Sequence, residues 1–597
     1  MSTAILTGQP VPGSSIEGDL RSLGFDVKVA VDAADAERMV AEAPCDQRVS
    51  LVDARFVGHV HSLRLGLTDP RFPLAALPGA VTAQPDGRVP LTRALARENS
   101  AGGGTAVAVN SVPDRVVTAL ADDGADVYRP ELGSLVAAVP ADPQARNEAR
   151  QAVADVDDEA VRLKSAVKSR DGFFTTHFIS PYSRYIARWC ARRGLTPNQV
   201  TTASLITALV AATCAATGTR PGFIAAGLLL IASFVLDCVD GQIARYALQY
   251  STLGAWLDAT FDRAKEYAYY AGLALGAARG GDDVWALALG AMVLQTCRHV
   301  VDFAFNEANH DATANTSPTA ALSGKLDSVG WTVWVRRMIV LPIGERWAMI
   351  AVLTAVTTPR ITFYALLVGC AFAATYTTAG RVLRSLTRKA QRTDRAAQAQ
   401  ALADLADNGP LAGLLARVSR APLGGPLVAA LGGTVILAVA LFSGVTWAPV
   451  AGAVVYADAA GQALYRPLKG ALDWLVPPLF RAAEYGTVLI LAARADVNGA
   501  LPAAFGLVAA VAYHHYDTVY RIRGNAGAPP AWLVRAIGGH EGRTLLVTVL
   551  AVLLTASQFT VALTVLAVAV ALLVLVESIR FWVSSGAPAV HDEGEPA

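Results

Sequence analysis

Asp237-Cys-Val-Asp240-Gly241-Gln-Ile-Ala244-Arg245, followed after eight residues by Gly254, Asp258 and Asp262, is the stretch on which the reading of this chain turns. The first two aspartates are spaced i,i+3 and the last two i,i+4, so each pair lies on one face of a helix. They close an apolar run, where charge is costly. A short glycine-bearing connection lets the two helices fold back and brings all four acids together. Four unpaired carboxylates at such range repel strongly. Divalent cations remove both objections. Hard, all-oxygen ligation suits Mg²⁺ or Mn²⁺, and two such ions can clamp a phosphoryl transfer.

The rest of the composition agrees with a membrane setting. The 597 residues are too many for one core, so two or three units are expected. A hydrophobic content of 53%, 17% charged residues and a mean hydropathy of +0.39 are too apolar for an ordinary soluble enzyme. With a net charge of +1 and no basic-aromatic patch, nothing points to nucleic acid. Cys45, Cys190, Cys214, Cys238, Cys297 and Cys370 show no metal-finger spacing and read as inert thiols. The N-terminus lacks a basic segment ahead of an apolar core, so no cleaved signal peptide is expected.

Residues 1–160 read as soluble α/β. Short strands are expected at 4–7, 26–30, 49–53, 106–109 and 135–138, with a helix over 33–42, and this alternation suggests a mostly parallel sheet. Residues 144–169 are charged and helical. Residues 181–193 set Arg184, Arg188, Arg192 and Arg193 among Tyr182, Tyr185, Ile186 and Trp189, the pattern of an interfacial amphipathic helix. Apolar spans follow from about 196 to 218 and near 222–245, 252–278, 284–305, 346–357 and 360–380. These define a membrane unit over 171–386. The basic stretch 381–395 places its end in the cytoplasm, and about six spans return the chain to its starting side. A basic cytoplasmic linker (387–420) leads to a second unit of about six spans (421–585), and residues 586–597 form an acidic tail expected to be disordered.

The second unit echoes the first. Trp256-Leu257, Arg263-Ala264 and Glu266-Tyr267 recur 218 positions on as Trp474-Leu475, Arg481-Ala482 and Glu484-Tyr485. Gly241-Gln242 recurs as Gly461-Gln462, and His299 and Asp302 as His514 and Asp517. In this register Asp237, Asp240, Asp258 and Asp262 face Ala457, Ala460, Val476 and Phe480. The pattern is that of an internal duplication whose copy has lost every acid, giving a degenerate partner within the chain. His514, His515 and Asp517 lack the further ligands of a metal site.

The complete pattern D-x2-D-G-x2-A-R-x8-G-x3-D-x3-D resembles that of the CDP-alcohol phosphotransferases, membrane enzymes that make phospholipids and related phosphodiesters. The resemblance covers about 171–386. With an α/β domain ahead of the membrane unit, the layout is similar to archaeal bifunctional inositol-phosphate cytidylyltransferase/phosphodiester synthases. It implies a six-helix catalytic unit in the cytoplasmic membrane, with N-terminal domain and active site facing the cytoplasm. By position, Asp237, Asp240, Asp258 and Asp262 would hold two Mg²⁺ or Mn²⁺ ions, with Asp262 also the base. Gly241, Ala244 and Arg245 would line the CDP site, where small side chains admit the nucleotide and an arginine can pair with the diphosphate. Ser251, Asn198 and Thr201 are further candidates for nucleotide contacts. Gly254, one turn before Asp258, suits close helix packing. The reaction implied is attack of an acceptor hydroxyl on the β-phosphorus of a CDP-alcohol, releasing CMP. The donor would be CDP-diacylglycerol or a soluble CDP-polyol. The acceptor would be an inositol phosphate or another alcohol, for which Arg336, Arg337 and Arg346 are candidate ligands. The protein would act as a homodimer or as an intrachain pseudo-dimer.

Other readings are open to test. The four acids could belong to an intramembrane ion-pair network, but only Arg245 and Arg263 lie close enough in sequence to balance them. A non-catalytic transporter should carry equivalent polar interruptions in both halves, and a membrane scaffold leaves the acid motif without a role. The N-terminal domain departs from active nucleotidyltransferases. The loop 7–15 after its first strand carries Pro10 and Pro12 and no lysine or arginine before Arg21, so it lacks the donors a triphosphate needs. Asp53 could mimic the metal-binding acid of that fold, yet a degenerate scaffold domain is expected.

Overall fold

Alternation along the first strand sets the N-terminal fold. In β1 (Ser2–Thr7), Ala4 and Leu6 pack to one side of the sheet and Ile5 to the other, all of them buried. Strands β2 (Phe25–Ala30) and β3 (Arg48–Asp53) pair with β1 in parallel. The hairpin β5 (Leu74–Leu77) and β6 (Ala80–Ala83) completes the order β2-β1-β3-β6-β5. One face buries Ile5, Leu51 and Val81 against α2 (Ala33–Glu42), α4 (Arg88–Ala101) and α5 (Val112–Asp122). The other buries Leu6 and Val52 against α1 (Ile16–Ser22) and α3 (Val60–Leu67). The computed structural model describes residues 2–101, 111–168, 171–309, 334, 338–387, 395–417 and 424–584. The strand expected at 106–109 and the tail 586–597 lie outside them.

The sheet corrects the expectation in two places. It is parallel over three strands only, because β6 runs antiparallel to both β3 and β5 around a turn at Pro78-Gly79, with Gly79 at φ +78°. The strand expected at 135–138 shrinks to β7 (Ala137–Ala138), paired with β4 (Val57–Gly58) in a separate two-stranded sheet. Asp53 is tied to its neighbour Arg55, which donates from Nη2 to Oδ2 at 2.9 Å and from Nε to Oδ1 at 3.0 Å.

The chain divides into two compact units. The first comprises Met1–Ser169, Tyr182–Pro197 and Val239–Tyr250; the second comprises Arg170–Pro181, Asn198–Cys238 and Ser251–Ala597. The first unit also contains α6 (Pro143–Ala154), α7 (Asp158–Ser165) and most of α8 (Ser180–Arg192), whose Tyr182, Tyr185 and Trp189 are exposed. Its membership includes the last turns of α10 (Arg220–Ala247), where Tyr246 packs with Leu163 and Ala166. Arg162 lies 3.6 Å from the Tyr246 ring and donates to the Tyr246 carbonyl at 2.8 Å.

In the second unit, α9 (Pro197–Ala216), α10, α11 (Thr252–Arg279), α12 (Trp285–Glu307), α13 (Ile343–Val356) and α14 (Pro359–Thr387) follow the six expected spans. After α15 (Arg395–Ala406) and α16 (Pro410–Leu415) come α17 (Gly425–Phe442), α18 (Trp447–Ala463), α19 (Val476–Arg494), α20 (Ala500–Arg523), α21 (Ala531–Ile537), α22 (Gly539–Leu553) and α23 (Ala556–Ser584). Seven helical stretches among the described residues are long and apolar enough to cross a membrane: α9, α10, α14, α17, Asp473–Arg494, Ala531–Leu553 and α23. The chain is thus mostly helical, with a small N-terminal α/β region. Helices α11, α12 and α20 have the length but carry buried charges, such as Lys265, Glu266, Arg298 and Asp517.

Small residues allow α11 to cross α9 closely toward the far end of the helix from the acids. A Cβ on Gly272 would meet the Ala212 carbonyl oxygen at 2.4 Å, and one on Gly276 the Ala215 carbonyl oxygen at 2.0 Å. Glycines four apart on α11 therefore let it lie against the backbone of α9.

The two helical sets share buried pairings. Arg263 donates to Glu266 at 2.8 Å, and Arg346 faces the same carboxylate at 3.3 Å. In the later set Arg481 donates to Glu484 at 2.8 Å, and Arg543 reaches that carboxylate at 2.6 Å. Contacts between the sets are reciprocal: Trp256 stacks near Trp582 at 6.3 Å, while Trp474 donates from Nε1 to Ser385 Oγ at 3.0 Å.

The linker expected at 387–420 is largely structural. Leu402, Leu405, Ala406 and Ala412 join a buried core, and Asp407, between α15 and α16, is 6% exposed. Burial alone would raise the Asp407 carboxyl, but His514, Arg543 and Arg481 around it hold it well below the usual range. Helix α16 covers Gly461: a Cβ there would meet the Ala412 carbonyl oxygen at 2.4 Å.

Candidate active site

The α10–α11 hairpin builds the site. Helix α10 ends at Ala247; Leu248 takes a left-handed φ of +52°, and Gln249 N–H closes back to the Ala244 carbonyl at 3.0 Å. Ser251 then caps α11, accepting from Gly254 N–H at 3.0 Å. The boundary between the two units runs through the continuous helix α10, so Asp237 and Asp240 ride one helix, one turn apart.

One carboxylate oxygen each from Asp237, Asp240 and Asp258 lies within 4.8 Å of the others. Ligands about 2.1 Å from a shared Mg²⁺ lie at most about 4.2 Å apart, so the three oxygens need only a small closing movement to meet on one ion, and carboxylate oxygen is the donor such an ion takes. The three residues therefore fit one hard divalent cation. Asp240 is 3% exposed, so this carboxylate is costly to bury without a positive partner.

Asp262 is held differently. Its Oδ1 lies 2.9 Å from the ammonium of Lys265, one turn further along α11. The same ammonium donates to Asp237 Oδ1, and to Ser204 Oγ of α9 at 3.2 Å. Ser204 in turn donates to the Ser233 carbonyl of α10 at 2.9 Å. Lys265 is fully buried, 5.5 Å from the centre of the Trp347 ring. Lys265 joins Arg245 and Arg263 as a nearby balancing charge, and its i+3 spacing from Asp262 is the local sequence signal for it. Arg263 instead pairs with Glu266.

The other candidates divide. The nearest atoms a Cβ on Gly241 would meet belong to the Arg245 guanidinium, at 3.4 Å, an ordinary contact distance. Ala244 is half-buried one turn on, and Arg245 Nε donates to the Ala166 carbonyl at 2.6 Å. Asn198 and Ser251 crowd Gly254: a Cβ there would meet Asn198 Oδ1 and Ser251 Oγ, each at 2.8 Å. Ser251 thus serves as a helix cap and Gly254 as the place where α9 and α11 converge. Thr201 is 2% exposed on α9. Arg346, an acceptor-site candidate, is placed beside Glu266. It is 2% exposed and spent on Glu266, a pairing 80 residues apart that no local pattern announces. Arg336 and Arg337 lie outside the described residues.

Comparison with known proteins bears on the same segment. Residues 194–374 match the CDP-alcohol phosphatidyltransferase family, and residues 394–597 match a family of unknown function, DUF5941. The chain is 28% identical over 203 residues to a bifunctional IPC transferase and DIPP synthase of Aquifex aeolicus, covering 33% of this chain and 45% of that protein. It is 36% identical over 131 residues to a phosphatidylinositol phosphate synthase of Streptomyces avermitilis, covering 21% and 51%. It is 30% identical over 113 residues to an archaetidylinositol phosphate synthase of Pyrococcus horikoshii, covering 19% and 58%. The matches thus span about half the length of these relatives. The family match covers the segment that carries the acid motif, and residues 194–374 are a domain of the CDP-alcohol phosphatidyltransferase family.

Proposed function

We propose that the protein transfers a phosphoalcohol group from a CDP-alcohol to an acceptor hydroxyl in the membrane, releasing CMP. The observation that carries this reading is the convergence of Asp237, Asp240 and Asp258 on a hairpin with the full family motif. In this reading these three residues hold Mg²⁺ or Mn²⁺, which when bound neutralises diphosphate charge and stabilises the departing CMP. Gly241 and Ala244 admit the nucleotide, and Arg245 pairs with a diphosphate oxygen. Asp262 accepts the proton of the acceptor hydroxyl as its oxygen bonds to the β-phosphorus and the bond to CMP breaks. Lys265 keeps the Asp262 carboxylate oriented.

The names of the relatives support phosphoinositol lipid synthesis; in this reading CDP-diacylglycerol is the donor and inositol phosphate the acceptor. Arg336 and Arg337 are the acceptor-phosphate ligands in this scheme. The basic stretch after α14 supports an active site facing the cytoplasm from the cytoplasmic membrane. The shared Arg–Glu–Arg pairings and the reciprocal tryptophan contacts support a duplicated, non-catalytic second half that acts as an intrachain partner. The N-terminal domain is a scaffold in this reading.

The test is CMP release by purified protein with Mg²⁺ or Mn²⁺ and a panel of CDP-alcohols and acceptors, with products identified by mass spectrometry. Asp262→Asn is expected to lower turnover by at least about 10²-fold with folding retained; full activity in that variant would sink the base assignment.

A further inference from the structure

Four aspartates and one lysine, rather than four aspartates alone, make up the charged centre. The four carboxylates bring a formal charge of −4, and Lys265 lowers it to −3 without any ion from solution. Arg263 turns away to Glu266, which it shares with Arg346.

The ammonium is fixed in place. It donates to Asp237 and Ser204 and lies 2.9 Å from Asp262 Oδ1; these three residues sit on three different helices, and the lysine side chain has no exposed surface. A buried ammonium that left these partners would lose all its hydrogen bonds with no water to replace them. The Asp237–Asp262 side of the cluster is therefore already filled by a cation belonging to the chain. The three oxygens of Asp237, Asp240 and Asp258 form the remaining ion-sized cluster.

The second half points to the same grouping. At the positions 218 residues on, Asp262 and Lys265 are replaced by Phe480 and Ala483, while Arg263 and Glu266 persist as Arg481 and Glu484. The lysine disappears with the acids and not with the structural ion pair beside it. Lys265 thus belongs to the chemistry of the site rather than to the packing of the bundle.

We propose that Lys265 is a resident cation of the acid centre, taking the place of a second divalent ion, so that the protein holds one Mn²⁺ or Mg²⁺ tightly and not two. This rests on the metal-dependent reading above, but it is tested without donor or acceptor. The full-length protein in detergent is titrated with Mn²⁺, and the free six-line electron paramagnetic resonance signal is followed. The wild type is expected to take up one equivalent tightly, with any second at least about 100-fold weaker. Lys265→Met is expected to take up two equivalents of similar affinity and to show the exchange-coupled signal of a neighbouring Mn²⁺ pair; Lys265→Arg should stay at one. Two comparable equivalents in the wild type, or none, overturn the proposal, as does a folded Lys265→Met that stays at one. Should Lys265→Met fail to fold, the wild-type count decides alone. CMP release from the same preparation judges the transferase reading separately.

Discussion

Single residues show where charge is managed inside this protein. His61, on α3 of the soluble sheet domain, is 3% exposed, and neither ring nitrogen has a hydrogen-bond partner. Burial, with Arg162 and Arg64 adding to it, lowers its pKa from 6.5 to about 4. Below pH 6.5 the unfolded chain therefore takes up a proton that the folded domain refuses until about pH 4. Stability should fall across that window as pH drops, by up to about 3 kcal/mol, and be independent of this group above it. Hydrogen exchange of the β1 and β3 amides in the full-length protein checks this; a His61→Leu variant should lose that part of the pH slope. At this scale sequence and structure agree best where the signal is periodic. The aspartate spacings put Asp237 with Asp240 and Asp258 with Asp262 on one helix face each, because helical repeat alone decides that; the meeting of Asp258 with the first pair depends on the hairpin between the two helices. Lys265 is legible by the same spacing, i+3 from Asp262, but its pairing with Asp237 depends on the packing of α10 against α11. Arg346 was not legible: its partner Glu266 lies on a distant helix, and only the parallel pair of Arg543 and Glu484 echoes it.

At the scale of elements, the hairpin that carries the acids depends on how α11 lies against α9. Gly276 faces the Ala215 carbonyl oxygen with no room for a methyl group. Gly276→Ala should push the helices apart, at a cost of about 1–3 kcal/mol. Thermal unfolding in detergent is expected to show a lowered midpoint, with Gly280→Ala, whose nearest neighbour for a Cβ is 3.3 Å away, affecting it less. The long helices were readable because each is a sustained apolar run bounded by turn residues. The β5–β6 hairpin was missed although Leu74–Leu77 and Ala80–Ala83 flank a Pro-Gly pair, the sign of a tight turn. Helices α15 and α16 were masked by composition. The basic residues around them suggested a solvated linker, while Leu402, Leu405 and Ala412 supply the buried contacts.

For the whole molecule, the instructive comparison is between the two helical sets. Gly241 of the first has only an ordinary contact with Arg245 as its nearest, whereas its counterpart Gly461 is covered by the backbone of α16. The segment joining α15 to α16 is anchored there by Asp407, whose carboxylate receives Arg543 at 3.0 Å and His514 at 3.1 Å. Glu541 further accepts from the Gly409 and Ala412 N–H groups, each at 3.0 Å. In the second set, where the matching positions carry no acids, the space beside Gly461 is filled by α16. The Trp, Arg and Glu repeats are visible in sequence; the filling is not, because it depends on a contact between Ala412 of α16 and Gly461, about fifty residues away.

The reciprocal contacts of Trp256 and Trp474 have a kinetic corollary. Two separate chains would find such an arrangement only as fast as they collide, and would lose it on dilution. Joined on one chain, the halves meet at an effective concentration fixed by the tether and not by the amount of protein present. Specific activity should therefore stay constant as the enzyme is diluted from micromolar to nanomolar in detergent, with the mass by light scattering unchanged. A fall in turnover per molecule on dilution would show instead that a second chain completes the working unit.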